Sequence, residues 1–340
     1  MPVSIDWARA ERVFGSALEA LEDHRYPYNR VEPPQVAEKL PPSLSWGGVK
    51  HACFLFCSCH HMRGGIKSET AFKILGRLFE DDPHMFSPEA VATDAGRYTP
   101  AFITAVLRKA ALGYKAEEIG RGWVYNLTKL HRFWNGDPVM LVRGVANYEE
   151  LCVRIMHGKE PSEDSPHGFF GFREKMVSML VYFLMHGGFM DPLVFPVPVD
   201  FHVLRILVAH EVLVCDISGN GYLKGLQDGA REVTLGYCVK HGVDPLKLCD
   251  ALWLLSSTLC QWNPGNRTRI IGQRSGRKTR TEPTPVYWDP AQIAGYRRSC
   301  GSCPVESTCR WNVPAASYYI QGRIVVRGPR EKSPQLFLFP

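Results

Sequence analysis

Apolar residues recur along this chain at helical spacing for most of its length. In residues 5–24 (IDWARAERVFGSALEALEDH), Trp7, Val13, Phe14, Leu18 and Leu21 share one face and predict an amphipathic helix. A Pro-rich connection runs from Tyr26 to Pro42. Residues 50–61 and 68–80 then predict two helices separated by a turn at Arg63-Gly64-Gly65. Ser68, with Ala71, Ile74, Leu75 and Leu78 behind it, predicts a capped amphipathic helix. The same period returns over 87–94, 99–111, 116–133, 148–157, 172–187, 200–212, 229–240 and 245–260. Strand-like alternation is nearly absent before residue 316, and no internal repeat stands out. The expected class is mainly α.

Two segments leave this pattern. Residues 264–285 (PGNRTRIIGQRSGRKTRTEPTP) are rich in Gly, Thr and Arg and predict a long exposed loop that orders on binding. Residues 321–340 predict a basic linker ending in Gln335-Leu336-Phe337-Leu338-Phe339-Pro340. Large apolar residues at a chain end suggest a partner. A tail packed on its own domain is the alternative.

Charge separates the two parts of the chain. From Gln261 to Pro340 there are 13 Lys and Arg against 4 Asp and Glu, a local +9. The whole chain carries +6, which leaves −3 on the first 260 residues. Such asymmetry suggests a polyanionic partner for the C-terminal part, with an ordinary solvated basic face as the alternative. No apolar run reaches the length of a membrane span. The start, MPVSIDWARAERVF, lacks the charged and apolar regions of a signal peptide and predicts a cytosolic protein.

Eleven cysteines in such a chain point to metal rather than disulfides. Cys53, Cys57, Cys59, Cys152, Cys215, Cys238 and Cys249 are scattered, mostly among apolar neighbours, and are expected as small buried hydrophobes. Cys300, Cys303 and Cys309 form a C-x2-C-x5-C group, a spacing that turns three soft thiolates towards one centre. Cys260, closing the apolar run LCDALWLLSSTLC, is the expected fourth ligand, with Cys249 the second choice. A structural zinc site remains the alternative to an iron–sulfur cluster. His60 and His61 beside Cys57 and Cys59 also raise metal binding, against which the apolar helical setting of Cys57 speaks.

The segment SCGSCPVESTC resembles the cluster loop of the endonuclease III and adenine-glycosylase branch of the helix-hairpin-helix DNA glycosylases. That resemblance implies a two-lobed, mainly α fold with a [4Fe-4S] cluster held by Cys260, Cys300, Cys303 and Cys309. Between Cys260 and Cys300 lie 39 residues, where the family has six, so 264–285 is expected to be an insertion.

Upstream, GFFGFREKMVSMLVY at 168–182 followed by FPVPVDFHVLRI at 195–206 is similar to the family's hairpin and its Val-Asp-x-His segment. By that register Lys175 takes the place of the Schiff-base lysine, Asp200 that of the catalytic aspartate and His202 that of the segment's histidine. Asp200 alone also has the position of a helix N-cap, and Lys175 alone that of a solvated helix lysine. Gly171 and Arg173 are expected at the DNA phosphate, with Arg173 standing where the family has a second glycine. Met176 stands where a small Thr or Ser is usual. FLFCSCHHMRGGIKSETAFKIL resembles the family's wedge region, which puts Met62 in the space left by a flipped base, beside Arg63. The tail resembles peptides that dock on the bacterial sliding clamp through Gln335, Leu336, Leu338 and Phe339.

The expected layout is an N-terminal helix (1–44) joining the cluster lobe, a helical lobe with the hairpin (45–194), the cluster lobe (195–315) and a tail (316–340). The expected function is base excision: a monomeric, nucleoid-associated N-glycosylase and AP lyase acting on double-stranded DNA. The alternatives are a non-catalytic binder of DNA lesions or structures, and a cluster-bearing nuclease.

Overall fold

The computed structural model describes residues 3–62, 66–156, 162–214, 221–259, 268–272, 279–283, 301–309, 316–320 and 323–327. It divides into two units: Met1–Glu32 with Val199–Pro340, and Pro33–Pro198. The described residues are mainly helical. No helix among them is long and apolar enough to cross a membrane.

The first unit joins the two ends of the chain. A short strand β1 (Ser4–Ile5) precedes α1 (Trp7–Glu22). Asp6 caps α1 by accepting the Arg9 N–H at 3.0 Å. The helix buries Ala10, Val13, Phe14, Ala17 and Leu18; of the predicted stripe Val13, Phe14 and Leu18 are buried, whereas Leu21 is half-buried and Trp7 exposed.

The second unit carries eight helices among its described residues: α2 (Val49–Cys59), α3 (Ser68–Asp81), α4 (Pro88–Thr93), α5 (Pro100–Lys109), α6 (Ala116–Trp134), α7 (Val139–Val142), α8 (Tyr148–Ile155) and α9 (Glu174–His186). Its core is aromatic. Phe54 meets Phe72, Phe79 and Phe86 at centroid distances of 5.7–6.1 Å. Trp123 is fully buried against Phe86 and donates its indole N–H to the Met85 carbonyl at 2.8 Å.

The chain then returns to the first unit with α10 (Phe201–Ala209), strand β2 (Leu213–Val214), β3 (Gly221–Tyr222), α11 (Leu223–His241) and α12 (Pro245–Thr258). Strand β2 pairs antiparallel with β1, Ser4 opposite Val214. Helix α1 packs on α11 and α12. Phe14 meets the Tyr237 ring edge-on at 4.9 Å, and the Tyr28 hydroxyl donates to the Ala251 carbonyl at 2.8 Å.

Four expectations need correction. Within 264–285, Thr268–Gly272 (β4) and Thr279–Pro283 (β5) form an antiparallel hairpin rather than a loop. The low apolar content hid β-branched Thr268, Ile270, Ile271, Thr279 and Thr281, which suit a pleated strand. The basic stretch after 321 also begins as a strand: Arg323–Arg327 (β7) pairs with Ala316–Ile320 (β6) on one side and β3 on the other. Its run Ile324-Val325-Val326 is the same signal between charges. Ser68 is not the cap of α3. Lys67 holds that position without a side-chain bond, and Ser68 is the first helical residue. Helix α11 starts at Leu223, ahead of the predicted 229, and the four-residue α7 has too few turns to show a period.

Candidate active site

The hairpin ahead of α9 is built by backbone geometry and aromatic packing. Gly168 and Gly171 adopt φ of +78° and +80°, where a side chain would be strained. Between and after them, Phe169 and Phe172 are fully buried. Phe172 stacks on Phe56 of α2, with centroids 5.2 Å apart and planes 17° apart. Arg173, exposed and in extended backbone, occupies the N-cap of α9 with no side-chain cap bond.

Lys175 lies in the first turn of α9. Its Nζ donates to the Met62 carbonyl at 2.6 Å. Met62 follows α2 in a tight turn, its N–H donating to the Cys59 carbonyl at 3.0 Å, and its side chain is buried. Lys175 and Met62 therefore meet within one unit, although 113 residues separate them. Met176 is also buried, and Arg63 lies outside the described residues.

Helix α6 holds this hairpin through side chains that carry no motif. Lys129, 3% exposed, donates its ammonium to three carbonyls: Ser162 at 2.8 Å, His167 at 3.0 Å and Gly168 at 2.8 Å. Burial pulls its pKa down to about 8, opposed by the charge of Glu163. Asn126 accepts the Phe170 N–H through Oδ1 at 2.7 Å. Its Nδ2 donates to the Phe170 carbonyl at 3.0 Å and lies 2.9 Å from His60 Nε2. His60 Nε2 is thus an acceptor, so its proton sits on Nδ1 and is donated to the Cys57 carbonyl at 3.1 Å. The Trp134 indole N–H adds a bond to the Pro166 carbonyl at 3.0 Å. Gly122 lets Phe170 approach, since a Cβ there would lie 2.8 Å from its ring.

The sequence offers these anchors only their helical position, which does not by itself single them out. Lys129 and Asn126 fall on the same face of α6 as buried Trp123, Leu127 and Leu130. A lysine within an apolar stripe must find acceptors or stay out of the core.

In the other unit, Asp200 caps α10 by accepting the Val203 N–H at 3.0 Å. His202 places Nδ1 3.4 Å from the Ser256 hydroxyl and its ring 6.2 Å from that of Trp253, both on α12. Lys175 and Asp200 belong to different units.

The cysteine loop is described from Gly301 to Cys309. Cys303 and Cys309, both partly exposed, bracket a 3-10 turn at Glu306–Thr308. The turn closes by bonds from the Glu306 N–H to the Cys303 carbonyl (3.1 Å) and from the Cys309 N–H to the Glu306 carbonyl (3.0 Å). Val305 is fully buried beneath it. The Thr308 hydroxyl donates to the Val305 carbonyl at 2.9 Å, so it accepts from His210 Nδ1 at 3.0 Å. His210 is itself buried, and burial holds its pKa down to about 4. Arg9 of α1 pairs with the adjacent Glu211 at 3.0 Å. The N-terminal helix and the cysteine loop therefore share one anchoring point.

Cys260 and Cys300 lie outside the described residues, as do Gln335, Leu336, Leu338 and Phe339. Cys249 is buried in α12, where burial first and nearby acidic groups second push its thiol well above the ordinary range. Burial likewise pushes Cys57 well above it. Both of these thiols are buried, whereas Cys303 and Cys309 are partly exposed on a tight turn.

No family model matches the chain, and no curated protein or solved structure matches it either.

Proposed function

We propose that this protein is a DNA N-glycosylase with AP-lyase activity, acting on a base flipped out of the duplex. The observation that carries the reading is the bond between Lys175 Nζ and the Met62 main chain, behind a hairpin whose Gly171 has φ +80°. Two segments similar to the family's hairpin and wedge on separate stretches of sequence meet at one amine. Backbone N–H groups at the start of α9, with Arg173 beside them, suit a phosphate.

In this reading the Lys175 amine, in its neutral form, attacks C1′ of the flipped nucleotide. The C1′–N bond breaks, the base leaves with its electron pair and takes up a proton, and the lysine forms an imine. β-Elimination then cuts the strand on the 3′ side. The Asp200 carboxylate stabilises the positive sugar while its other role, capping α10, fixes its orientation. Cys260, Cys300, Cys303 and Cys309 would hold a [4Fe-4S] cluster. It would supply a rigid fold for the loop and needs no redox step. The apolar tail stands as a clamp-docking peptide.

The test is borohydride trapping on DNA. Lys175→Ala is expected to lose the trapped complex while binding DNA as wild type does. A variant that still traps would remove Lys175 from the nucleophile's role. A second reading, a non-catalytic DNA-binding protein, is favoured by exposed Arg173 in place of the family's glycine and by buried Met176 in place of a small residue. It predicts salt-sensitive binding with no product from any lesion.

A further inference from the structure

The first unit holds β-structure that base excision does not use. Strand β7 (Arg323–Arg327) lies between β6 (Ala316–Ile320) and β3 (Gly221–Tyr222) and is antiparallel to both. Gln321-Gly322 alone separates β6 from β7 in sequence, a two-residue spacing with glycine that suits a tight hairpin. Opposed residues of an antiparallel pair share a face, and faces alternate along each strand. The register therefore sorts the sheet into two sets of residues. Ser317 opposite Val326, with Tyr319 and Gly221 on either side of Ile324, defines one face. Ala316 opposite Arg327, Tyr318 opposite Val325, and Ile320 and Tyr222 on either side of Arg323 define the other.

The two faces differ in chemistry. The first is free of charge. The second sets two tyrosines, one on each flanking strand, around an arginine at either end of the central strand. With strands about 4.8 Å apart and a rise of about 3.4 Å per residue, Tyr222 and Tyr318 stand about 12 Å apart along the sheet. That is too far to sandwich one base and leaves each tyrosine a base of its own. Among the described residues no helix packs extensively on β6 or β7, while β5 of the basic hairpin lies alongside β6. Strands β3 to β7 together hold four Arg, no Lys and one Glu. Arginine offers a planar fork that binds phosphate oxygens and stacks on rings, where lysine is only a point charge. Tyrosine interleaved with arginine matches what a single strand presents, unpaired bases on a chain of phosphates. A duplex hides its base faces, and an acidic peptide has no use for the tyrosines.

We propose that the sheet face shared by Tyr222, Tyr318, Arg323 and Arg327 binds single-stranded DNA, the tyrosines taking unpaired bases and the arginines the phosphates. The local +9 of residues 261–340 supplies the charge complementarity. This face belongs to the first unit, whereas Lys175 and its hairpin belong to the second. It breaks no bond, and it rests on the base-excision reading only for the choice of DNA over RNA. A duplex opened around a flipped base, or nicked by elimination, exposes such a strand.

The test uses full-length protein and fluorescence anisotropy with a labelled oligothymidylate and a blunt duplex of as many phosphates. The single strand is expected to bind more tightly. Tyr222→Ala and Tyr318→Ala should each weaken it about fivefold or more, the loss of one stacked base, while Phe at either position keeps the affinity. Arg323→Gln and Arg327→Gln should each flatten the slope of log affinity against log salt by about 0.7. A strand carrying iodouracil, irradiated on the unaltered protein, should crosslink to peptides that contain Tyr222 or Tyr318, a result that does not depend on any variant folding. Tighter duplex binding, undiminished binding by a folded Tyr318→Ala, Phe variants as weak as Ala, or crosslinks only to other segments would overturn the proposal. So would equal competition by polyglutamate or by oligouridylate. The two readings fail separately. Base release by a protein that does not bind the single strand through these residues sinks the platform alone. Platform binding by a protein that releases no base sinks excision alone.

Discussion

At the scale of single residues, Asp200 has two roles that a substitution can separate. Its side chain accepts the Val203 N–H as the cap of α10, and Asn caps a helix about as well as Asp. Asp200→Asn is expected to keep the thermal stability of wild type and lose base release. Asp200→Ala should lose both, the cap costing about 0.5–2 kcal/mol. Base release by Asp200→Asn at the wild-type rate would remove the carboxylate from the chemistry. The motif residues could be picked out in sequence because their neighbours are distinctive. Lys129 and His51 could not, for a physical reason. A lysine on an amphipathic helix is ordinarily solvated, and the three carbonyls that make burial tolerable here come from residues 33 to 39 positions away. Gln35 finds its partner Tyr182 147 positions away, whereas His51 accepts from Gly47 only four positions before it.

At the scale of elements, two buried neutral histidines hold helix ends in place. His51 sits in the first turn of α2, and His210 joins the end of α10 to the cysteine loop. Each has a pKa near 4 in the folded chain against 6.5 for the exposed group. Between those values the unfolded chain binds more protons, so the stability present above pH 6.5 is lost as pH falls towards 4. The loss is on the order of 3 kcal/mol for each ring at the acid end. Calorimetry between pH 6.5 and 5, where most carboxylates stay ionised, should show a falling Tm. His210→Asn, which keeps a donor for Thr308, should flatten the fall. An unchanged slope in that variant would show that His210 does not set it. Helices were legible at this scale wherever an apolar stripe ran for three turns, as in α1 and α6. The β4–β5 hairpin and β7 were not, because Arg and Glu among their β-branched residues mask alternation over five positions.

At the scale of the whole molecule, the cysteine loop ties the C-terminal region to the N-terminal helix, with Arg9, Glu211, His210 and Thr308 as the joint. The pairing of chain ends follows from the resemblance, not from any periodicity. If four cysteines hold an iron–sulfur cluster, purified protein should absorb broadly near 400 nm. Cys303→Ser should lose that band and much of the stability of the first unit. Stoichiometric zinc in place of the band would turn the loop into a zinc site.

The central claim is that the protein breaks a bond between base and sugar. The direct measurement is mass analysis of the products after incubation with a panel of damaged and modified duplexes. A free base is expected, released from at least one duplex with an abasic or nicked strand left behind. Intact DNA throughout the panel, or phosphodiester cleavage with no free base, would contradict it.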